Sequence, residues 1–181
     1  MKKKNNKTNY KILLIIILLI MLSILAYSQI FKAPSVIMED MGESVPIQNR
    51  DHISQSETTQ VYNSNPPTSG PHAGEIKGGF YSEEILDING VHNLEHGFIW
   101  ITYRNISPNA KEMLKKIARK NSGRVLVSKR RANDTQIALA SWGRLDKITE
   151  STLDEAYVLR FITKYTNKSP EKFAKLSFSK F

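Results

Sequence analysis

The chain of 181 residues contains no cysteine, so it can form no disulfide and can offer no thiolate to a metal ion. Its formal net charge is +9, but five lysines among the first eleven residues supply more than half of that excess. The remaining charge is modest and forms no Arg-rich helix or basic run interleaved with aromatics, which argues against a nucleic-acid-binding protein.

The first strongly patterned segment is an uncharged apolar run at 12–31, ILLIIILLIMLSILAYSQIF. Twenty helical residues span about 30 Å, the thickness of the hydrocarbon core of a bilayer. We therefore expect a single transmembrane anchor at 12–31, with a basic tail at 1–11 in the cytoplasm by the positive-inside rule. A cleaved signal peptide is the alternative, because it also begins with a basic region. Either interpretation places the rest of the chain on the extracytoplasmic side of the cell membrane.

Residues 32–60 mix prolines, acids and polar residues without a sustained period, which predicts an extended linker. Within this linker His52 stands among polar residues, and we expect it to be solvated. An exported globular domain then follows at 61–181. Its first segment, 61–80, holds three prolines and four glycines. That composition is incompatible with a helix or a central strand and predicts a set of structured turns.

The rest of the domain shows alternating strand and helix patterns. β-Branched and aromatic runs indicate strands, whereas apolar residues at helical spacing after Ser or Thr indicate helices. The predicted elements are a strand at 97–103, a helix at 107–120, strands at 124–128 and 136–142 that we expect to form a hairpin, and a final helix after a capping box at Thr152 and Glu155. The order strand-helix-strand-strand-helix predicts a small α+β domain, in which helices cover a β-sheet.

Three of the four histidines, His72, His92 and His96, lie within 25 residues of the sequence. His72 follows a Ser-Gly-Pro turn, and the other two flank Asn-Leu-Glu just before the first predicted strand. Neutral imidazole is the commonest metal ligand in proteins, and three imidazoles suit copper or zinc. We expect these histidines to bind one such ion without catalysis, with Glu95 as a further ligand or as a partner that orients a ligand.

His92 to His96 also spells H-x-x-E-H, the pattern in which two histidines of a helix bind zinc and the glutamate activates water. Glu171 lies 75 residues beyond His96, close to where pitrilysin-type peptidases place their third ligand. A zinc-dependent hydrolase is therefore one alternative. Gly90 before the pattern, with Gly97 and a β-rich run after it, argues against the helix that this alternative needs. A second alternative is a protein-interaction module of the cell envelope, in which the loop around His72 is only a rigid surface.

The strings that contain these histidines resemble the signature of a known family. They are YNSNPPTSGPH at 62–72, GFY at 79–81, VHNLEHG at 91–97, ASWGR at 140–144 and Pro-Glu at 170–171. Together they are similar to the domain of unknown function 3105 family over about 60–175, although Ser169 stands where that family usually has glycine. The resemblance implies a membrane-anchored or exported protein of uncharacterised activity. It also implies that His72, His92, Glu95 and His96 belong to the signature of the family.

Overall fold

The computed structural model describes residues 6–30 and 39–174. Helix α1 spans Asn6–Ile30, and its stretch Tyr10–Tyr27 is long and apolar enough to cross a membrane. An N-terminal signal sequence has the same properties, so the helix is compatible with both sequence interpretations. The start of the predicted basic tail, the last residue of the predicted anchor, the linker up to residue 38 and the chain beyond 174 lie outside the described residues.

A mixed six-stranded sheet forms the centre of the compact unit that begins at Glu39. The elements after α1 are β1 (Glu43–Ser44), β2 (Gly79–Glu84), α2 (Asp87–Glu95), β3 (Ile99–Tyr103), α3 (Pro108–Lys120), β4 (Val125–Lys129), β5 (Ile137–Ser141), β6 (Arg144–Ile148) and α4 (Glu155–Tyr165). The strands lie side by side in the order β1-β6-β5-β3-β4-β2. This architecture confirms the predicted α+β class, with helices packed on a sheet.

The predicted hairpin between the second and third strand patterns is wrong. Strand β4 is parallel to β3, and β5 is antiparallel to β3 on its other edge, so β3 separates the two strands. The hairpin instead joins β5 to β6, a strand that the sequence did not suggest. Gly143 makes its tight turn possible with a φ of 69°, a conformation that glycine adopts without a steric cost.

Both faces of the sheet are covered, which explains the nearly continuous apolar strands. On one face α3 and α4 pack against Ile101, Val127 and Leu139, all fully buried. On the other face Leu94 of α2 packs beside Trp100, whose indole N–H donates to Ser128 Oγ at 3.0 Å. Val45 and Ile76, from the segment between β1 and β2, pack on this second face, and the same segment carries His52 and His72.

The helix starts follow the sequence in one case and differ in the other. Helix α3 begins as predicted, with Pro108 at its first position and the Ser107 side chain accepting from Ala110 N at 3.2 Å. Helix α4 is capped by Asp154, whose carboxylate accepts from Tyr157 N at 2.8 Å, and not by the predicted Thr152. Aspartate at this position accepts a helix N–H as well as threonine does, so the pattern was ambiguous.

Helix α2 overturns the expectation that H-x-x-E-H would not be helical. Gly90 lies inside this helix, and a Cβ there would meet a ring carbon of Trp100 at 2.5 Å. The glycine is thus explained by close packing of the helix on the sheet rather than by a break in the helix. Gly97, with a φ of 87°, follows His96 at the C-terminal end and lets the chain turn into β3.

The stretch expected to be an extended linker differs from that expectation from residue 39 onward. Glu43 and Ser44 add a short edge strand to β6, and Val45 is buried beside it. Further along, His52 forms an isolated parallel bridge with His72. Backbone hydrogen bonds hold this stretch on the domain, and such bonds leave no apolar period in the sequence.

Candidate metal centre

Backbone pairing places His52 beside His72. The His72 N–H donates to the Asp51 carbonyl at 3.0 Å, and the Ile53 N–H donates to the His72 carbonyl at 3.0 Å. The Tyr62 hydroxyl donates to the Pro71 carbonyl at 2.8 Å and braces the turn before His72. The His72 side chain is fully buried as a result, although it belongs to a loop.

Two asparagines of α2 fix the loop that follows His72. The Asn89 side-chain N–H groups donate to the carbonyls of Ala73 and Gly74, each at 2.6 Å. One turn later, Asn93 donates to the Ile76 carbonyl at 2.8 Å and accepts from the Ile76 N–H at 3.2 Å. These side chains bind the loop as a neighbouring strand would, so the helix that carries the other two histidines also holds the loop of His72.

The rings of His72 and His96 each lie beside the ring of His92. Ring centroids lie 5.1 Å apart for His72 and His92, and 4.5 Å apart for His92 and His96. His52 joins them, with its centroid 4.5 Å from that of His72 and 5.3 Å from that of His92. The expectation that His52 is merely solvated is therefore wrong, although its side chain is 59% exposed.

Within residues 6–30 and 39–174, six metal-capable side chains form two adjoining groups. His52, His72 and His92 each offer a ligand atom, and these atoms lie within 4.8 Å of one another. Glu95, His96 and Glu171 form the second group by the same measure. The four predicted site residues are thus divided, two in each group. A tetrahedral ion with bonds of about 2.0–2.1 Å needs ligand atoms about 3.4 Å apart, so a closing movement on the order of 1 Å would complete the first group.

His72 is oriented with one ring nitrogen toward Glu95. Its Nδ1 lies 2.8 Å from the Gly70 carbonyl, which can only accept, so Nδ1 carries a proton. Its Nε2 lies 2.9 Å from Glu95 Oε2, and both side chains are fully buried. Two lone-pair atoms at this distance need a proton or a metal ion between them. Histidines that bind metal ions usually have this arrangement: one ring N–H donates to a carbonyl, and the other ring nitrogen faces the ion.

Glu95 is a buried carboxylate with partners on both oxygens. Arg50 Nε donates to Oε1 at 2.5 Å, while Oε2 faces His72 and lies 3.8 Å from His52 Nε2. Burial by itself would raise the pKa of Glu95, but the hydrogen bond from Arg50 and the charges of His72 and Arg50 outweigh it and lower that pKa. Glu95 is therefore anionic at neutral pH and adds a negative charge beside the histidines.

His92 is an uncharged ring, and one of its nitrogens has no hydrogen-bond partner. Burial, and then the neighbouring histidines, lower its pKa from 6.5 to about 4. Its Nδ1 is buried without a hydrogen-bond partner. A buried polar atom left unsatisfied costs about 1–3 kcal/mol, a cost that a bond to an ion can remove.

The C-terminal segment covers the second group. Glu171 Oε2 lies 3.1 Å from His96 Nε2, and the ring of Phe173 lies 5.1 Å from that of His96. Backbone bonds hold the segment in place, since the Glu171 N–H donates to the Glu95 carbonyl at 3.1 Å. Sequence motifs placed Glu171 in the family signature, but it was considered as a metal ligand only for the hydrolase alternative. Arg50 was not identified from the sequence, because Arg50 lies in none of the motifs.

The comparisons with known proteins give a family and no activity. A family model described as "Protein of unknown function (DUF3105)" matches residues 52–177. No curated protein and no solved structure matches the chain. The matched range begins at His52 and contains every residue of both metal-capable groups. Because the match covers more than two thirds of its length, the chain belongs to the DUF3105 family.

Proposed function

We propose that this protein is a membrane-anchored metal-binding protein whose extracytoplasmic domain holds one copper or zinc ion without catalysis. The observation that carries the proposal is the convergence of His52, His72 and His92, whose ligand atoms lie within 4.8 Å of one another. Glu95 Oε2, beside the Nε2 atoms of His52 and His72, would supply a fourth ligand or hold His72 in place. In this proposal His52 takes the ligand position that the sequence suggested for His96.

The donor set favours copper or zinc over other ions. Three imidazoles and one carboxylate suit Zn²⁺ and Cu²⁺, whereas Mg²⁺ and Ca²⁺ prefer oxygen ligands throughout. No sulfur donor is available from cysteine. The apolar helix Tyr10–Tyr27 supports the membrane anchor, and the basic tail before it supports the orientation with the domain outside.

The geometry favours binding over hydrolysis. A hydrolytic zinc site needs a carboxylate that can reach a metal-bound water. Glu95, the glutamate of H-x-x-E-H, is fully buried and has both oxygens engaged by Arg50 and His72. The two histidines of the motif also belong to different metal-capable groups. A pure interaction module, the other alternative, would require no metal ion at all.

The test is metal stoichiometry in the full chain, purified in detergent with an affinity tag that contains no histidine. We expect one zinc or copper ion per chain by elemental analysis after dialysis. Replacement of His72 and His92 together by alanine should abolish this binding, whereas His96→Ala should retain one ion. A wild-type protein that holds no metal after incubation with either ion would refute the proposal and favour the interaction module.

A further inference from the structure

We propose that the guanidinium of Arg50 occupies the place of a second metal ion and limits the centre to one ion. This inference rests on the proposed metal binding by His52, His72 and His92. It concerns the second group, Glu95, His96 and Glu171, whose ligand atoms also lie within 4.8 Å of one another.

The two groups adjoin through Glu95 and through the neighbouring rings of His92 and His96. Glu95 belongs to the second group, yet its Oε2 lies 2.9 Å from His72 Nε2 in the first. The rings of His92 and His96, one from each group, have centroids 4.5 Å apart. Two metal ions in a shared protein site usually lie about 3.5–4 Å apart. The residues are therefore close enough to form a two-ion centre.

Arg50 contacts both of the carboxylates that a second ion would need as ligands. Its Nε is 2.5 Å from Glu95 Oε1, and its terminal nitrogen is 3.6 Å from Glu171 Oε1. One guanidinium thus bridges both carboxylates of the second group. Arginine stays charged at any physiological pH, so this positive charge cannot leave by losing a proton.

Charge balance favours a single ion while Arg50 is present. Glu95 and Glu171 supply two negative charges, and Arg50 cancels one of them. A divalent ion among the first three histidines then leaves the centre with a net positive charge. A second divalent ion would add two more charges within a few ångströms of the guanidinium. Without Arg50, the two carboxylates would keep both negative charges, and together with His96 they would offer a second ion a favourable site.

One short segment of the chain carries both the proposed metal ligand His52 and the cation Arg50. Arg50 lies two residues before His52, and the intervening Asp51 carbonyl accepts from the His72 N–H. The side chain of Arg50 is 47% exposed, so it can be replaced without opening the core.

The experiment is zinc stoichiometry of the full chain in detergent, comparing wild type with Arg50→Ala. We expect one zinc ion per wild-type chain and two per variant chain. Adding Glu171→Gln to Arg50→Ala should return the count to one. With two equivalents of Cu²⁺, Arg50→Ala should show an electron paramagnetic resonance signal broadened by the neighbouring ion, and wild type should not. Arg131→Ala is the matched control, because Arg131 also pairs with a glutamate, Glu84, at 2.7 Å but outside both groups.

The outcomes separate this inference from the proposed function. One ion in both wild type and Arg50→Ala overturns the role of Arg50 and leaves metal binding intact. Two ions in wild type also overturn it, and no ion in wild type refutes the proposed function itself. If Arg50→Ala melts below the working temperature, Arg50→Gln removes the charge, keeps a donor for Glu95 and carries the same expectation of two ions.

Discussion

His52 and His72 are joined by a parallel backbone bridge, and their ring centroids lie 4.5 Å apart, edge to face. One ring is 59% exposed and the other is fully buried. An ion between them would therefore be bound by one ligand at the surface and one in the interior. This difference in burial makes the contributions of the two histidines separable by mutation.

We expect His52→Ala to weaken metal binding by about 10- to 100-fold while leaving the metal-free protein as stable as wild type. An exposed side chain contributes little to folding, so only the ion loses a partner. Isothermal titration with zinc and thermal melting with and without zinc would measure both effects. An unchanged zinc affinity would remove His52 from the ligand set.

His72→Ala should abolish metal binding and also destabilise the metal-free protein by about 3 kcal/mol. The reason is that Glu95, fully buried, would lose one of its two close partners. Urea unfolding of metal-free samples would measure the difference. His96→Ala is a useful comparison, because His96 pairs with a partly exposed glutamate, Glu171, and its loss should cost less.

Glu95→Gln distinguishes the binding and hydrolase proposals. If Glu95 supports the metal centre, the amide removes a charge beside His72 and should weaken zinc binding by about tenfold or more. If Glu95 acts as a general base, the variant should hold zinc as wild type does and lose an activity. Zinc titration and an assay of hydrolysis together decide between these results, and retained zinc affinity with lost hydrolysis would favour the hydrolase.

Gly90→Ala should destabilise the domain by about 1–3 kcal/mol, because the new methyl group would meet the Trp100 ring at 2.5 Å. Helix propensity alone would give the opposite sign, with a gain of about 0.8–1 kcal/mol. The measurement is urea unfolding. The control is the same change in a Trp100→Leu background, where the smaller side chain should remove much of the penalty.

The raised pKa of Tyr157 predicts that the protein loses stability in alkali. Burial, together with its hydrogen bond to Asp146 at 2.5 Å, raises the pKa of Tyr157 from 10.0 to about 12. The unfolded chain therefore releases this proton near pH 10, and the folded chain retains it until about pH 12. The contribution of Tyr157 to the free energy of unfolding is therefore fully present below pH 10, and it is lost as the pH rises from 10 to 12.

Urea midpoints measured across pH 9 to 12 would test this expectation, with Tyr157→Phe as the comparison. The wild-type midpoint should fall more steeply with pH than that of the variant, because phenylalanine has no proton to release. Parallel slopes for the two proteins would contradict the assignment.

Local features of the sequence determined much of this protein. The apolar run that becomes α1, the strand pattern of β3 and the Ser107-Pro108 start of α3 all depend on residues close together in the chain. Periodicity and capping report such local preferences directly. For the same reason the sequence singled out His72, His92, Glu95 and His96, which stand in compact strings of unusual composition.

Only the tertiary structure decided which of these residues share a site. His52 reaches His72 through a backbone bridge, and Arg50 reaches Glu95 from 45 positions away, contacts that no spacing rule encodes. The requirement for glycine at position 90 likewise comes from Trp100, a residue of β3. Contacts between distant segments arise when the sheet brings them together, and that event leaves no local pattern in the sequence.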